Sequence, residues 1–184
     1  SLDVRPYFKR NYLYGEAMTH ILGYVGRIND RDVERLKKEE KFANYSGSTD
    51  MGKLGIERYY EEQLHGTTGF EEVEINNRGK VIRKLREQPA TAGKSIHLTI
   101  DFTLQRYIMS LLSGQKGAVV VLDPKDNSVL AMVSTPSYDN NLFVDGISSS
   151  DYKRLLEDPT RPLYSRATQG VYPPASTVKP FVAV

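Results

Sequence analysis

Apolar and polar positions follow one rhythm up to about residue 86 and another after residue 95. From Glu16 to Val25 the run EAMTHILGYV sets Ala17, Ile21, Leu22 and Val25 at helical spacing, and Gly23 and Gly26 interrupt it. This predicts a short helix or turn running into a strand. NDRDVERLKKEEKF follows, with Asn29 or Asp30 as N-cap and only Val33 and Leu36 apolar on one face. It reads as a charged surface helix. Ala43–Gly55 is small and polar, a loop. IERYYEEQLHG is a stronger helix, because Ile56, Tyr59, Tyr60 and Leu64 share a face and Gly66 stands ready to end it. That face assigns Tyr59, Tyr60 and Leu64 to the core.

The period then falls to two. In EEVEINNRGKVIRKL, Val73 and Ile75 alternate with acids, Asn76–Gly79 supplies turn residues, and Val81–Leu85 returns as the second strand of a hairpin. Glu87–Ser95 loses all periodicity to Pro, Ala, Gly and Ser, which predicts a linker and two domains, 1–92 and 93–184. Beyond it, Ile96, Leu98 and Ile100 mark a strand, and Leu104, Ile108, Leu111 and Leu112 mark an amphipathic helix. Val119–Leu122 and Val129–Val133 are nearly continuous in hydrophobicity, so both faces of their sheet should be covered. Asp123, Pro124, Asp126 and Asn127 turn the chain between them. Ser148 and Asp151 stand at capping-box spacing before a short helix. The fold class expected is α+β, with Ile96–Asp101, Val119–Leu122 and Val129–Val133 in one sheet.

Composition narrows the partners more than the fold. The 184 residues carry 25 basic and 23 acidic side chains, a net charge of +2, which gives no reason to expect nucleic acid. The basic clusters at Arg5–Arg10 and Arg78–Arg86 read as solvated faces. Cysteine is absent, so disulfides and thiolate metal sites are excluded; His20, His65 and His97 are too scattered for a metal site. Neither a metal nor another cofactor is expected. No stretch approaches the roughly 18–20 apolar residues of a membrane span, and Ser1–Arg10 is not a signal peptide. Membrane attachment would require an anchor outside this sequence.

One pair of residues carries chemistry. VYPPASTVKPF puts Ser176 and Lys179 three apart just after two prolines, which suit a helix start. The pair then shares a helix face. A serine hydroxyl needs a base to act as a nucleophile, and a lysine serves as one if its pKa falls in a water-poor cleft near another cation. Free N–H groups at a helix start suit an acyl oxyanion. An N-capping serine followed by a surface lysine has the same spacing.

The longer string YPPASTVKP resembles the first active-site motif of the penicillin-binding proteins. RNYLYGEAMTHILGYVG, GKLGIERYYEEQLHGTTG and VVVLDPKDNSVLAMVSTPSYDNNLF resemble further motifs of that family's class B branch, in the right order, over essentially the whole chain. The resemblance implies an elongated pedestal of short helices and a hairpin in 1–92, and the N-terminal part of a serine β-lactamase-like transpeptidase domain in 93–184. It implies Ser176 as the acylated nucleophile and Lys179 as general base. The substrate implied is the D-Ala–D-Ala end of a peptidoglycan stem peptide, or a β-lactam that mimics it. Also implied are partners among polytopic glycosyltransferases and scaffold proteins of the elongation machinery, at the periplasmic face of the bacterial inner membrane. The family's Ser-x-Asn and Lys-Thr/Ser-Gly motifs are absent, so the chain is expected to hold the nucleophile without its full site. Departures from the motifs include Leu13 for proline, Asp126-Asn127 for Thr-Gly, and Ala175 for glycine, the last predicting a negative φ. Glu57 and Asp123 are expected to be structural, as are Tyr138 and Asp139. A class D-like β-lactamase or β-lactam sensor is a rival implied by the same Ser-x-x-Lys helix; a non-catalytic interaction module is another.

Overall fold

The computed structural model describes residues 9–183. Most of the Arg5–Arg10 cluster, and the start of the chain read as lacking a signal peptide, lie outside them. The first half is built from short pieces. A 3₁₀ turn (Gly15–Ala17) leads to α1 (Thr19–Leu22) and β1 (Val25–Arg27). Asn29 then caps α2 (Asp30–Lys38): its side chain accepts the Asp32 N–H, and the Asp32 carboxylate accepts the Asn29 N–H, each at 3.0 Å. The polar stretch expected to be loop contains a 3₁₀ turn (Phe42–Tyr45) and β2 (Asp50–Gly52), which pairs antiparallel with β1. Leu36, Tyr45 and Met51 form the core beneath.

The expected helix over Ile56–Leu64 is two helices, α3 (Gly55–Tyr59) and α4 (Glu61–His65), broken at Tyr60. Its rotation also differs from expectation. Tyr59 is 82% exposed and Glu57 6%. Two acids one turn apart decide this. Glu57 bonds inward to Arg10 and Tyr12, and Glu61 accepts Gly52 N–H at 2.7 Å and the Tyr45 hydroxyl at 3.2 Å. Satisfying buried polar partners outweighs burying one tyrosine ring. The hairpin predicted next is present as β3 (Phe70–Ile75) and β4 (Val81–Gln88), with two register shifts and an exposed β4. The linker lies back on this half: Thr67 and Thr91 exchange backbone bonds at 2.9 Å, and Lys94 N–H reaches the Gln63 carbonyl at 2.7 Å.

In the second half, Asp101 caps α5 (Phe102–Leu111), which packs on the hairpin of β5 (Gly117–Leu122) and β6 (Val129–Thr135). Ile108, Ala131 and Val133 form its core. Asn127 takes φ 62° in the connecting turn, which asparagine tolerates. Two expectations are corrected. Ile96–Asp101 forms no strand: only its end reaches the free edge of β6, where Thr99 Oγ1 donates to the Val129 carbonyl and the Asp101 N–H to the Leu130 carbonyl, and the Gln105 amide takes both backbone groups of Met132 beyond. Among the described residues this sheet therefore has two strands, β5 and β6. Nor are both of its faces covered: Val119 and Val121 pack inward while Val120 and Leu122 are exposed. Beyond β6 come a 3₁₀ turn (Asn140–Phe143), α6 (Ser149–Glu157), capped as expected by Ser148, and α7 (Arg166–Gln169).

The halves meet across a polar seam. Thr19 donates to the Tyr138 carbonyl at 2.7 Å, Asn140 Nδ2 to the Gly23 carbonyl at 2.7 Å, and Gln105 Nε2 to the Ala17 carbonyl at 2.8 Å. Tyr138 thus packs structurally, edge-on to His20 and Phe143, and Asp139 caps the 3₁₀ turn. Among the described residues no helix is long and apolar enough to cross a membrane, and no group of three His, Cys, Asp or Glu gathers as for a metal.

Candidate active site

Ser176 sits where the sequence motif implied, in the first turn of a helical segment. Residues Ala175–Val178 form a 3₁₀ turn that runs into α8 (Lys179–Val182), with Pro180 at its start. The Lys179 N–H bonds the Ser176 carbonyl, so the turn closes over three residues. In such a turn side chains at i and i+3 eclipse, which sets Ser176 and Lys179 on one face. No hydrogen bond joins the two side chains. Thr177 secures the turn from the other side, its N–H bonding the Pro174 carbonyl at 3.1 Å and its hydroxyl bonding the same oxygen. Among the described residues the Ser176 N–H has no backbone partner outside its own turn.

Ala175 adopts φ +47°, not the negative φ expected. Pro173 and Pro174 fix their own φ, and Pro174 lies in the helical region at φ −71°, ψ −16°. Ala175 follows it directly in the left-handed region, within the turn that the Thr177 N–H closes onto the Pro174 carbonyl. Glycine takes that conformation freely; alanine pays about 1–2 kcal/mol for it.

The pair is exposed, as is the chain from Val171 to Ala183. Cavities of about 250 and 440 Å³ open elsewhere, the first beside α2, α3 and α4, the second between the end of α5 and Pro136, and neither is lined by Ser176 or Lys179. The last firm anchor before the pair is α7. Its Arg166 N–H bonds Ser134 Oγ on β6 at 2.8 Å, and the buried guanidinium bonds the carbonyls of Thr160 and Arg161 at 2.6 and 3.4 Å. Motif reading did not single out Arg166 or Gln105. For Gln105 a signal existed: it is a polar residue between Leu104 and Ile108 on an otherwise apolar helix stripe.

The pedestal motifs also meet in one place. Arg10 Nε lies 2.8 Å from Glu57 Oε1, the Tyr12 hydroxyl donates to the same carboxylate at 3.1 Å, and it accepts the Val25 N–H at 2.8 Å. Burial pushes the Glu57 carboxyl up, opposed by Arg10 and Tyr12. Glu57 is the structural ion pair expected of it.

The model of the penicillin-binding protein dimerisation domain matches residues 1–98, and that of the penicillin-binding protein transpeptidase domain matches residues 117–184. The chain belongs to the penicillin-binding proteins. Peptidoglycan D,D-transpeptidase MrdA of Haemophilus influenzae is 83% identical over 184 residues, all of this chain and 28% of that protein. Its Escherichia coli K12 counterpart is 64% identical over 183 residues, 29% of its length. Among solved structures, penicillin-binding protein 2 (PBP2) of Pseudomonas aeruginosa in complex with WCK 5153 superposes with a TM-score of 0.75 at 45% identity, covering 98% of this chain and 34% of that one. PBP2 of Helicobacter pylori in complex with MreC gives 0.81 at 31% identity, covering 95% and 32%. The chain thus spans about three-tenths of the length of these penicillin-binding proteins. The dimerisation-domain match over the first half favours this family over the β-lactamase rival.

Proposed function

We propose that this chain is part of a periplasmic peptidoglycan D,D-transpeptidase of the PBP2 kind, in which Ser176 is the acyl nucleophile and Lys179 its general base. The observation that carries the reading is the Ser-x-x-Lys turn, which follows a diproline inside a segment matched to the transpeptidase domain. Ser176 attacks the D-Ala–D-Ala carbonyl as Lys179 takes the hydroxyl proton. The terminal D-alanine leaves with that proton, and an acceptor amine on a second stem peptide resolves the acyl-serine. The same reading divides the chain into a pedestal, 1–92, and the start of the transpeptidase domain, 93–184. The pedestal docks a polytopic glycosyltransferase and a scaffold protein at the outer face of the inner membrane; the H. pylori PBP2–MreC complex supports the scaffold.

Fluorescent penicillin tests the chemistry. Full-length protein should label stoichiometrically, and Ser176→Ala should abolish labelling. The isolated 184-residue chain should not label, because it lacks Ser-x-Asn and Lys-Thr/Ser-Gly. Labelling of the Ser176→Ala protein would overturn the assignment of the nucleophile.

A further inference from the structure

Gln105 is 1% exposed, and it lies on the helix face turned to the sheet. A carboxamide offers two donor hydrogens and one acceptor oxygen. Here Nε2 donates to the Met132 carbonyl and to the Ala17 carbonyl, both at 2.8 Å, and Oε1 accepts the Met132 N–H at 2.8 Å. All three partners are backbone groups. Two belong to the outer edge of β6, where the side chain stands in for the peptide group of a missing neighbouring strand. The third belongs to the 3₁₀ turn of the pedestal half. One buried side chain therefore joins the transpeptidase sheet to the pedestal.

The connection continues toward the reactive serine. Two residues past Met132, Ser134 receives the Arg166 N–H and seats α7 on the same strand. From α7 the chain runs through Gly170 and the diproline to Ser176. We propose that Gln105 is a positioning residue for the acyl transfer: it fixes β6 against the pedestal turn and so sets the platform on which the segment leading to Ser176 is seated. The proposal rests on the reading of Ser176 as the nucleophile. Gln105 touches no reacting atom in it; its effect is on where the serine is held, and misplacement of a nucleophile is costly in rate.

The test uses full-length protein and three variants. Gln105→Leu substitutes a shorter apolar side chain that leaves the Met132 N–H and both carbonyls without partners, and acylation by fluorescent penicillin should slow about tenfold or more. Gln105→Glu is the informative variant. A protonated carboxyl accepts the Met132 N–H and donates to one carbonyl, whereas the carboxylate sets bare oxygens against both carbonyls. Its acylation rate relative to wild type should therefore rise as pH falls from 8 to 5.5, a signature that mere loss of packing does not give. Leu104→Ala, one residue away in the packed apolar set, should lower the melting temperature and leave the acylation rate of the folded protein unchanged. Folded Gln105→Leu and Gln105→Glu proteins that acylate at the wild-type rate at every pH overturn the proposal. If Gln105→Leu fails to fold, the pH profile of Gln105→Glu decides alone, and a flat ratio overturns it. Labelling of Ser176→Ala would instead sink the nucleophile assignment, whatever Gln105 does. Hydrogen exchange separates the two, because the Met132 amide should lose protection about tenfold or more in Gln105→Leu even if Ser176 has no role.

Discussion

Glu57 shows how one residue can reverse the face of a helix. Periodicity put Ile56, Tyr59 and Tyr60 inward, yet the carboxylate is the group that is buried, held by Arg10 and Tyr12. Hydropathy treats an acid as an outward residue and cannot see that a guanidinium and a phenol arrive from residues some 45 positions earlier. The pH response follows from the direction of its shift. Burial raises the folded pKa of Glu57 above its ordinary 4.5. Between the two values the folded state holds more protons than the unfolded state, so this residue's contribution to stability falls as pH rises through that window. Glu57→Gln removes the titration and still accepts from Tyr12. A melting series from pH 4 to 7 should show wild type losing ground to Glu57→Gln as pH rises, the gap levelling off once the carboxyl is ionised. Glu57→Ala should be worse than Glu57→Gln by about 1–3 kcal/mol, because the buried Tyr12 hydroxyl then lacks an acceptor.

Elements with local punctuation were legible; those fixed by distant contacts were not. The capping box at Asn29, the N-cap at Ser148, the hairpin turns at Asn76–Gly79 and Asp123–Asn127, and Gly66 as a helix end each announce themselves within a few residues. β2 does not, because Asp-Met-Gly has no β-branched residue and becomes a strand only where β1 meets it. Ile96–Asp101 fails in the opposite sense: its alternation is genuine, but it touches the edge of β6 only through the Thr99 side chain and the Asp101 N–H, and the Gln105 side chain takes the Met132 backbone groups next along that edge. The candidate site was legible as a motif, and its φ at Ala175 was not, since glycine and alanine alike fit a helix start and only the closed turn shows the left-handed residue. At this scale the crossing of α1 and α3 gives a test. Gly23 has φ +70°, and a Cβ there would lie 1.9 Å from the Leu54 carbonyl oxygen. Gly79, in the exposed hairpin turn, has φ +73° with nothing within 4 Å of such a Cβ. Gly79→Ala should cost about 1 kcal/mol, the conformational term alone. Gly23→Ala adds a clash with backbone that no rotamer relieves, and overpacking of that kind costs about 1–3 kcal/mol more. Chemical denaturation should rank them in that order, and equal losses would refute the close approach of the two helices.

Among the described residues, the largest fully buried side chains are Gln105, Val133, Asn140 and Thr19, and the three polar ones all cross the seam between the halves. A seam made of buried hydrogen bonds resists sliding, because any displacement leaves carbonyls unpaired away from water. A flexible hinge between the pedestal and the transpeptidase part would need the reverse, an exposed or loosely packed boundary. The halves should therefore open together, and Thr19 is the cleanest place to ask. Thr19→Val keeps the shape while removing the bonds to the Tyr138 and Gly15 carbonyls, which lie at 2.7 and 3.2 Å. Leaving a buried carbonyl unsatisfied costs about 1–3 kcal/mol. In a cooperative joint that loss is felt on both sides: amide protection in full-length protein should fall in α1 and β1, and by a similar factor in α5 and β6. Loss confined to α1 and β1 would mean that the seam is a contact between independent bodies, and the pedestal could then move without disturbing the sheet on which Ser176 depends.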